Sequence, residues 1–178
     1  MPKKKASGRQ VLGTGKFLRL VRAGRWEIAE RTNCQGAVAI TAITEDRRLI
    51  LTEQFRPAVQ TAVIDVAAGL SGDAPDQRGE ALLVSAQREL MEETGYESKH
   101  WQHLDDCPSS PGLTNEVVTH FLATGCRQTQ SGGGVDHEQI IVHAVPLRTI
   151  RRWLKARVAE GKLIDPKVYA ALYFAKTM

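Results

Sequence analysis

The sequence predicts an α/β (α+β) domain: a mixed β-sheet sandwiched between helices, with a β-hairpin added at the amino terminus. Three observations carry this. Short apolar runs bounded by turn residues recur over 17–69 and again over about 98–145. One long segment, 80–94, repeats its apolar residues at helical spacing. Two further helical patterns close the chain, and helices packed on a sheet are one of the few ways to bury both.

Taken in order, 1–10 reads as a disordered basic tail and 11–35 as a hairpin region. Within it FLRLV (17–21) and RWEIAER (25–31) pair around Ala23-Gly24. GAVAITAIT (36–44) and RRLILTEQF (47–55) form a second hairpin around Glu45-Asp46. TAVIDVAAG (61–69) reads as one short strand ending at glycine. SGDAPDQRG (71–79) has the composition of a loop. In EALLVSAQRELMEET (80–94), Leu83, Ala86 and Leu90 make one apolar stripe, and Gly95 stops the helix. Strands follow near 98–105, 116–124 and 139–145, the last two separated by the Gly-rich QSGGGVDHE (130–138). Helices over about 147–159 and 166–176 complete a main domain of 36–178.

Composition narrows the class. With 42% hydrophobic and 25% charged residues, the 178-residue chain has the makeup of a soluble globular domain. No apolar run reaches membrane-spanning length. The start, MPKKKASGRQ, lacks the apolar segment of a secretory signal. Cys34, Cys107 and Cys126 form no CxxC pair and no zinc pattern, which suits reduced thiols and a cytoplasmic setting. The formal charge of +4 would help recruit an anionic small molecule.

The segment RELMEETG (88–95) carries the chemistry. Glu89, Glu92 and Glu93 lie within one turn of each other on a helix, where like charges repel. Glu92 and Glu93 also sit near the carboxyl end, where the helix dipole disfavours negative charge. A divalent cation reverses both penalties, and carboxylate oxygens suit Mg²⁺ with Mn²⁺ as its substitute. An ordinary charged surface helix is the alternative. Against it stand the absence of relieving lysines, Arg88 as an orienting cation and Glu80 at the helix start.

Glu80, seven residues, then Arg88-Glu89-Leu90-Met91-Glu92-Glu93-Thr94-Gly95-Tyr96 resembles the signature of the Nudix hydrolases, G-x5-E-x7-R-E-U-x-E-E-x-G-U with U apolar. The leading glycine would fall on Ala74. Gly69 is placed in that role instead, with five extra residues in the following loop. The resemblance implies the Nudix fold and hydrolysis of a nucleoside diphosphate linked to another group. It implies Glu89, Glu92 and Glu93 as metal carboxylates, Glu93 also counted catalytic, with the Ala68 carbonyl as a further ligand. Gly69, Glu80 and Arg88 support them.

The flanks are similar to ADP-ribose pyrophosphatases and nucleoside diphosphate sugar hydrolases. Gln54-Phe55-Arg56 and SSPGLTNE (109–116) match motifs of that group, which implies Arg56 and Glu116 as substrate contacts. Asp65 stands where that group often has Glu. VDHEQIIVHAVPL (135–147) resembles its base-bearing loop, with Glu138 the first candidate for activating water and Asp136 the second. The resemblance implies Trp26 as a base-stacking residue, with a core or dimer-interface tryptophan as the alternative, and a homodimer built through the hairpin. For Arg56 a surface salt bridge is the alternative, for Glu116 an edge-strand charge, for Asp136 and Glu138 solvated loop acids. Two other functions are weighed: a Nudix enzyme for RNA 5′ ends or nucleoside triphosphates, and a non-catalytic ligand sensor of the same fold. A membrane partner is not expected, nor is nucleic acid.

Overall fold

The computed structural model describes residues 8–72, 77–134 and 139–176. Among them, nine strands share one mixed sheet. Its long central members are β4 (Gly36–Thr44), β5 (Arg48–Arg56) and β10 (Val117–Gln128). β4 runs parallel to β10 and antiparallel to β5. Beyond β5 lie β6 (Thr61–Asp65) and then the short parallel β12 (Leu163–Ile164). β7 (Ala67–Ser71) adds to β4, β11 (Ile141–Pro146) to β5, and both β8 (Tyr96–Glu97) and β9 (His100–Pro108) to β10.

Strand periodicity explains the two layers around this sheet. Successive side chains on β4 point to opposite faces. Val38, Ile40 and Ala42 pack with Ala86 and Leu90 of α1 (Leu82–Thr94). Ala37, Ala39 and Ile43 pack instead with Leu154 of α2 (Ile150–Ala159) and Val168 and Ala171 of α3 (Pro166–Lys176). A strand buried on both faces reads as a continuous apolar run, which is how GAVAITAIT is written.

The structure corrects the element reading at four places. Residues 61–69 are two strands. The chain leaves β5 after Asp65, whose Oδ1 accepts the Val66 N–H, and Ala67–Ser71 crosses to pair with β4. The helix begins at Leu82, so Glu80 precedes it. The amino-terminal unit is a three-stranded meander, β1 (Arg9–Thr14), β2 (Leu18–Ala23) and β3 (Trp26–Arg31), so Arg9 and Gln10, expected in the tail, are strand residues. β10 lies between β4 and β9, so Glu116 does not guard an edge.

Glu53 on β5 ties the carboxyl-terminal segment to the sheet. Its carboxylate meets Lys162 Nζ at 2.6 Å and His143 Nε2 at 2.9 Å, and His143 packs edge-on against Trp153. Burial opposes ionisation of Glu53, but Lys162 and His143 outweigh it and hold its pKa below the ordinary glutamate value. A depressed pKa gives stability that is complete above the unfolded value and lost as pH falls through the folded one. Glu53→Gln is therefore expected to flatten the acid limb of a stability-against-pH curve, measured by urea unfolding between pH 7 and 3. An unchanged acid limb would contradict this role.

Candidate active site

Arg88 organises the acidic helix. Its guanidinium sits 2.9 Å from both Glu89 Oε1 and Glu92 Oε2, reaches Glu80 Oε2 at 3.5 Å, and donates to the Leu70 carbonyl on β7 at 3.1 Å. Burial works against this charge, yet Glu89, Glu92 and Glu80 together outweigh it and raise the Arg88 pKa. One planar cation thus holds three carboxylates and pins helix to strand. The same Glu80 oxygen, Oε2, also accepts the Ser85 hydroxyl at 2.6 Å.

Two backbone features of β7 place the remaining groups. The Ala68 N–H donates to Glu93 Oε2 at 3.1 Å. At Gly69 a Cβ would collide with the carboxylate of Glu89. Glycine leaves the space that the Glu89 carboxylate occupies, and a methyl there would force that carboxylate to move.

The far end of α1 is closed by the Gly-rich loop. Gly95 ends the helix in the left-handed conformation, and its N–H donates to the Met91 carbonyl. Gly133 and Gly134 donate their N–H groups to the carbonyls of Glu93 and Glu92, at 2.9 and 3.0 Å. These terminal carbonyls would otherwise lack partners. The loop leading toward 135–138 is thereby rooted on the two residues whose side chains form the acidic cluster.

Glu89, Glu93, Ala68 and Gly69 line one wall of a cleft of about 360 Å³. Arg56 and Glu116 line it too, so six of the residues expected from sequence meet there. Arg31 and Lys167 join them. Arg31 Nε lies 2.5 Å from Glu116 Oε2, and Lys167 Nζ lies 3.0 Å from Asp65 Oδ2 and 2.8 Å from Asp165 Oδ1. Burial pushes the Asp65 carboxyl upward despite Lys167. Burial also opposes the Lys167 ammonium, but Asp65 and Asp165 outweigh it and raise its pKa. Arg56 makes no ion pair among the described residues and is exposed, so its guanidinium remains available to an anion.

The donor set fits a hard divalent cation. Glu89 and Glu93 offer carboxylate oxygens one turn apart at the cleft, Glu92 adjoins them through Arg88, and Gly69 leaves the room that Glu89 needs. Among the described residues, no three acidic or imidazole groups already converge on a single point, and Arg88 bridges two of the carboxylates.

Trp26 lies elsewhere, more than half exposed beside the β2–β3 turn, with the Arg25 guanidinium over its ring. It does not line the cleft. Asp136 and Glu138 lie outside the described residues. No sequence motif marks Arg31 or Lys167, and Asp65 stands out in the sequence only for its place in a motif. Lys167 is over a hundred residues from Asp65, and no local pattern announces the pairing.

Comparison with known proteins covers most of the chain. Residues 34–170 match the family described as NUDIX domain. The chain is 32% identical over 140 residues to the methanol dehydrogenase activator of Bacillus methanolicus, covering 78% of this chain and 71% of that one. It is 31% identical over 140 residues to the ADP-ribose pyrophosphatase of Bacillus subtilis (strain 168), with the same coverage. It is 31% identical over 160 residues to the GDP-mannose pyrophosphatase of Klebsiella pneumoniae subsp. pneumoniae, covering 85% and 74%. A crystal structure of an ADP compounds hydrolase superimposes with a TM-score of 0.73 at 20% identity, over 99% of this chain and 94% of that one. The last likeness concerns the fold.

Proposed function

The chain belongs to the Nudix family, and from that premise we propose that it hydrolyses the pyrophosphate bond of ADP-ribose or a nucleoside diphosphate sugar. The products are a nucleoside monophosphate and a sugar phosphate. The observation that carries this reading is one cleft whose acidic wall, Glu89 and Glu93, is accompanied by the uncommitted guanidinium of Arg56. The named relatives, an ADP-ribose and a GDP-mannose pyrophosphatase, support the substrate class.

Glu89, Glu92 and Glu93, with the Ala68 carbonyl, would hold the metal. Bound there, Mg²⁺, or Mn²⁺ in its place, supplies Lewis acidity toward phosphoryl oxygens and water. Arg56 binds phosphate oxygens by charge-assisted hydrogen bonds. Arg31, fixed by Glu116, and Lys167, fixed by Asp65, set polar groups in the same cleft to orient the rest of the substrate. Water attacks phosphorus, the bond to the bridging oxygen breaks, and the water proton passes to a loop carboxylate. Glu138 is assigned that role, with Asp136 the second candidate. The anchoring of Gly133 and Gly134 on α1 supports a base delivered from this loop.

The molecule is further read as a cytoplasmic homodimer joined through the amino-terminal unit, 11–35, with 36–178 as the hydrolase domain. Val11, Phe17, Leu18 and Leu20 are exposed on that unit, a feature that supports burial against a second copy. Trp26, exposed on the same unit, is assigned the role of stacking on a base across such an interface.

Product analysis tests the substrate. With Mg²⁺, ADP-ribose, GDP-mannose, ADP-glucose and UDP-glucose are compared with nucleoside triphosphates and capped RNA. AMP and ribose 5-phosphate, or the corresponding pair from a nucleotide sugar, are the expected products. Faster turnover of triphosphates or capped RNA, or no turnover of any compound, would overturn the reading.

A further inference from the structure

Away from the cleft, a groove of about 1020 Å³ runs between α2 and α3. Ile150, Leu154 and Leu172 form its floor, and Val158, Tyr169 and Tyr173 stand exposed along it. The rim is cationic throughout: Arg47, Arg148, Arg151, Lys155 and Lys176, with no acidic residue among those lining it. None of these five makes an ion pair among the described residues; the neighbouring Arg48 and Arg157 do.

The helix itself is electrostatically out of balance. IRRWLKARVA contains four cations and no acid. Arg151 and Arg152 fall in the first turn, where the helix dipole favours negative charge. Arg151 and Lys155 follow at a spacing of four, so like charges share one side, and Arg148 adds a further cation from the turn just before the helix. Such an arrangement gains stability when an anionic surface lies against it.

We propose that this groove docks an acidic amphipathic helix of a partner protein. The cations flank an apolar floor, and a phosphate head group would leave Ile150, Leu154 and Leu172 uncovered. The apolar floor suits leucine-like side chains better than a phosphodiester backbone. Ile150 to Val158 spans about 12 Å of helix, enough to seat roughly two turns of a partner. The chain's own amino-terminal segment, with Lys3, Lys4 and Lys5, has the wrong charge to fill it.

Fluorescence anisotropy of the full-length protein tests this with a labelled synthetic helix. The peptide carries leucines at i, i+4 and i+7 and glutamates on the flanking positions. Saturable binding is expected, weakened about tenfold or more by the triple change Arg148→Glu, Arg151→Glu, Lys155→Glu. Val158→Asp is expected to weaken it independently, with the hydrolysis rate of both variants unchanged as the check on folding. The proposal is overturned if the peptide does not bind, if a scrambled peptide binds equally, or if charge reversal has no effect. It is overturned equally if oligouridine or vesicles of phosphatidylcholine and phosphatidylglycerol bind in place of the peptide, or if the triple variant dissociates a homodimer.

Discussion

Glu93→Gln is expected to lower kcat by about a thousandfold or more, the scale on which one electrostatic stabiliser of a transition state acts. The fold should persist. Glutamine keeps the shape, and its amide oxygen can still accept the Ala68 N–H that now meets Glu93 Oε2. The change also relieves repulsion with Glu89 one turn away, so thermal stability should stay within about 1 kcal/mol of the parent. What is lost is a full negative charge on the cleft wall, and calorimetric titration with Mg²⁺ should show weakened binding alongside the kinetic loss. Full activity in Glu93→Gln would remove Glu93 from the metal site. Lost activity together with lost near-ultraviolet circular dichroism would instead mark it as structural.

The acidic cluster was readable because its oddity is local. Three carboxylates within five residues, at the end of a helix that disfavours them, need no knowledge of the fold to be noticed. The same holds for Gly95, whose stop role follows from its place after the last periodic residue, and the structure puts it in the left-handed conformation. The Arg88 clamp was half readable. Its contact with Glu92 follows from the i,i+4 spacing, but its contact with the adjacent Glu89 does not, and its bond to the Leu70 carbonyl belongs to packing of α1 on β7.

The losses have a common physical source. Apart from Thr61 and Asp65, TAVIDVAAG is apolar because both of its halves are largely buried, so the hydrophobic pattern does not mark the transfer from β5 to β4 at Val66. Yet that transfer sets Asp65, Ala68 and Gly69 together on the cleft. Lys167 reaches the same cleft from α3, and Arg31 from the end of β3. Pairings between distant segments are decided by how the layers close, and periodicity within a segment does not encode them. The groove between α2 and α3 shows the complementary case. Its charges are legible in IRRWLKARVA, whereas their convergence on one apolar furrow is visible only once both helices are packed.

Gly132→Ala is expected to cost about 2–4 kcal/mol of stability and to slow turnover as well. Gly132 has φ of 65°, and a Cβ there would strike the Thr94 carbonyl and the Gly95 nitrogen. Gly95 mirrors it, since a Cβ on Gly95 would strike the backbone of Gln130 and Gly132. Two backbones cross at a separation that only glycines allow. Pushing them apart strains the bonds from Gly133 and Gly134 to the carbonyls of Glu93 and Glu92, and those from Thr129 and Gln130 to Gly95. For a chain of this size the loss corresponds to a melting temperature lower by about 5–15 °C. Gly161→Ala is the matched comparison: φ is 83°, but nothing lies within 4 Å of the added methyl. It should cost only the left-handed backbone strain, about 1 kcal/mol. The difference between the two variants measures the close crossing, and equal losses would show that the crossing contributes nothing. In the folded fraction of Gly132→Ala, kcat should fall more than KM rises. The displaced loop leads into 135–138, where the proton acceptor is proposed, while Arg56 and the acidic wall stay in place. A rise in KM with kcat intact would move the role of this loop from proton transfer to substrate binding.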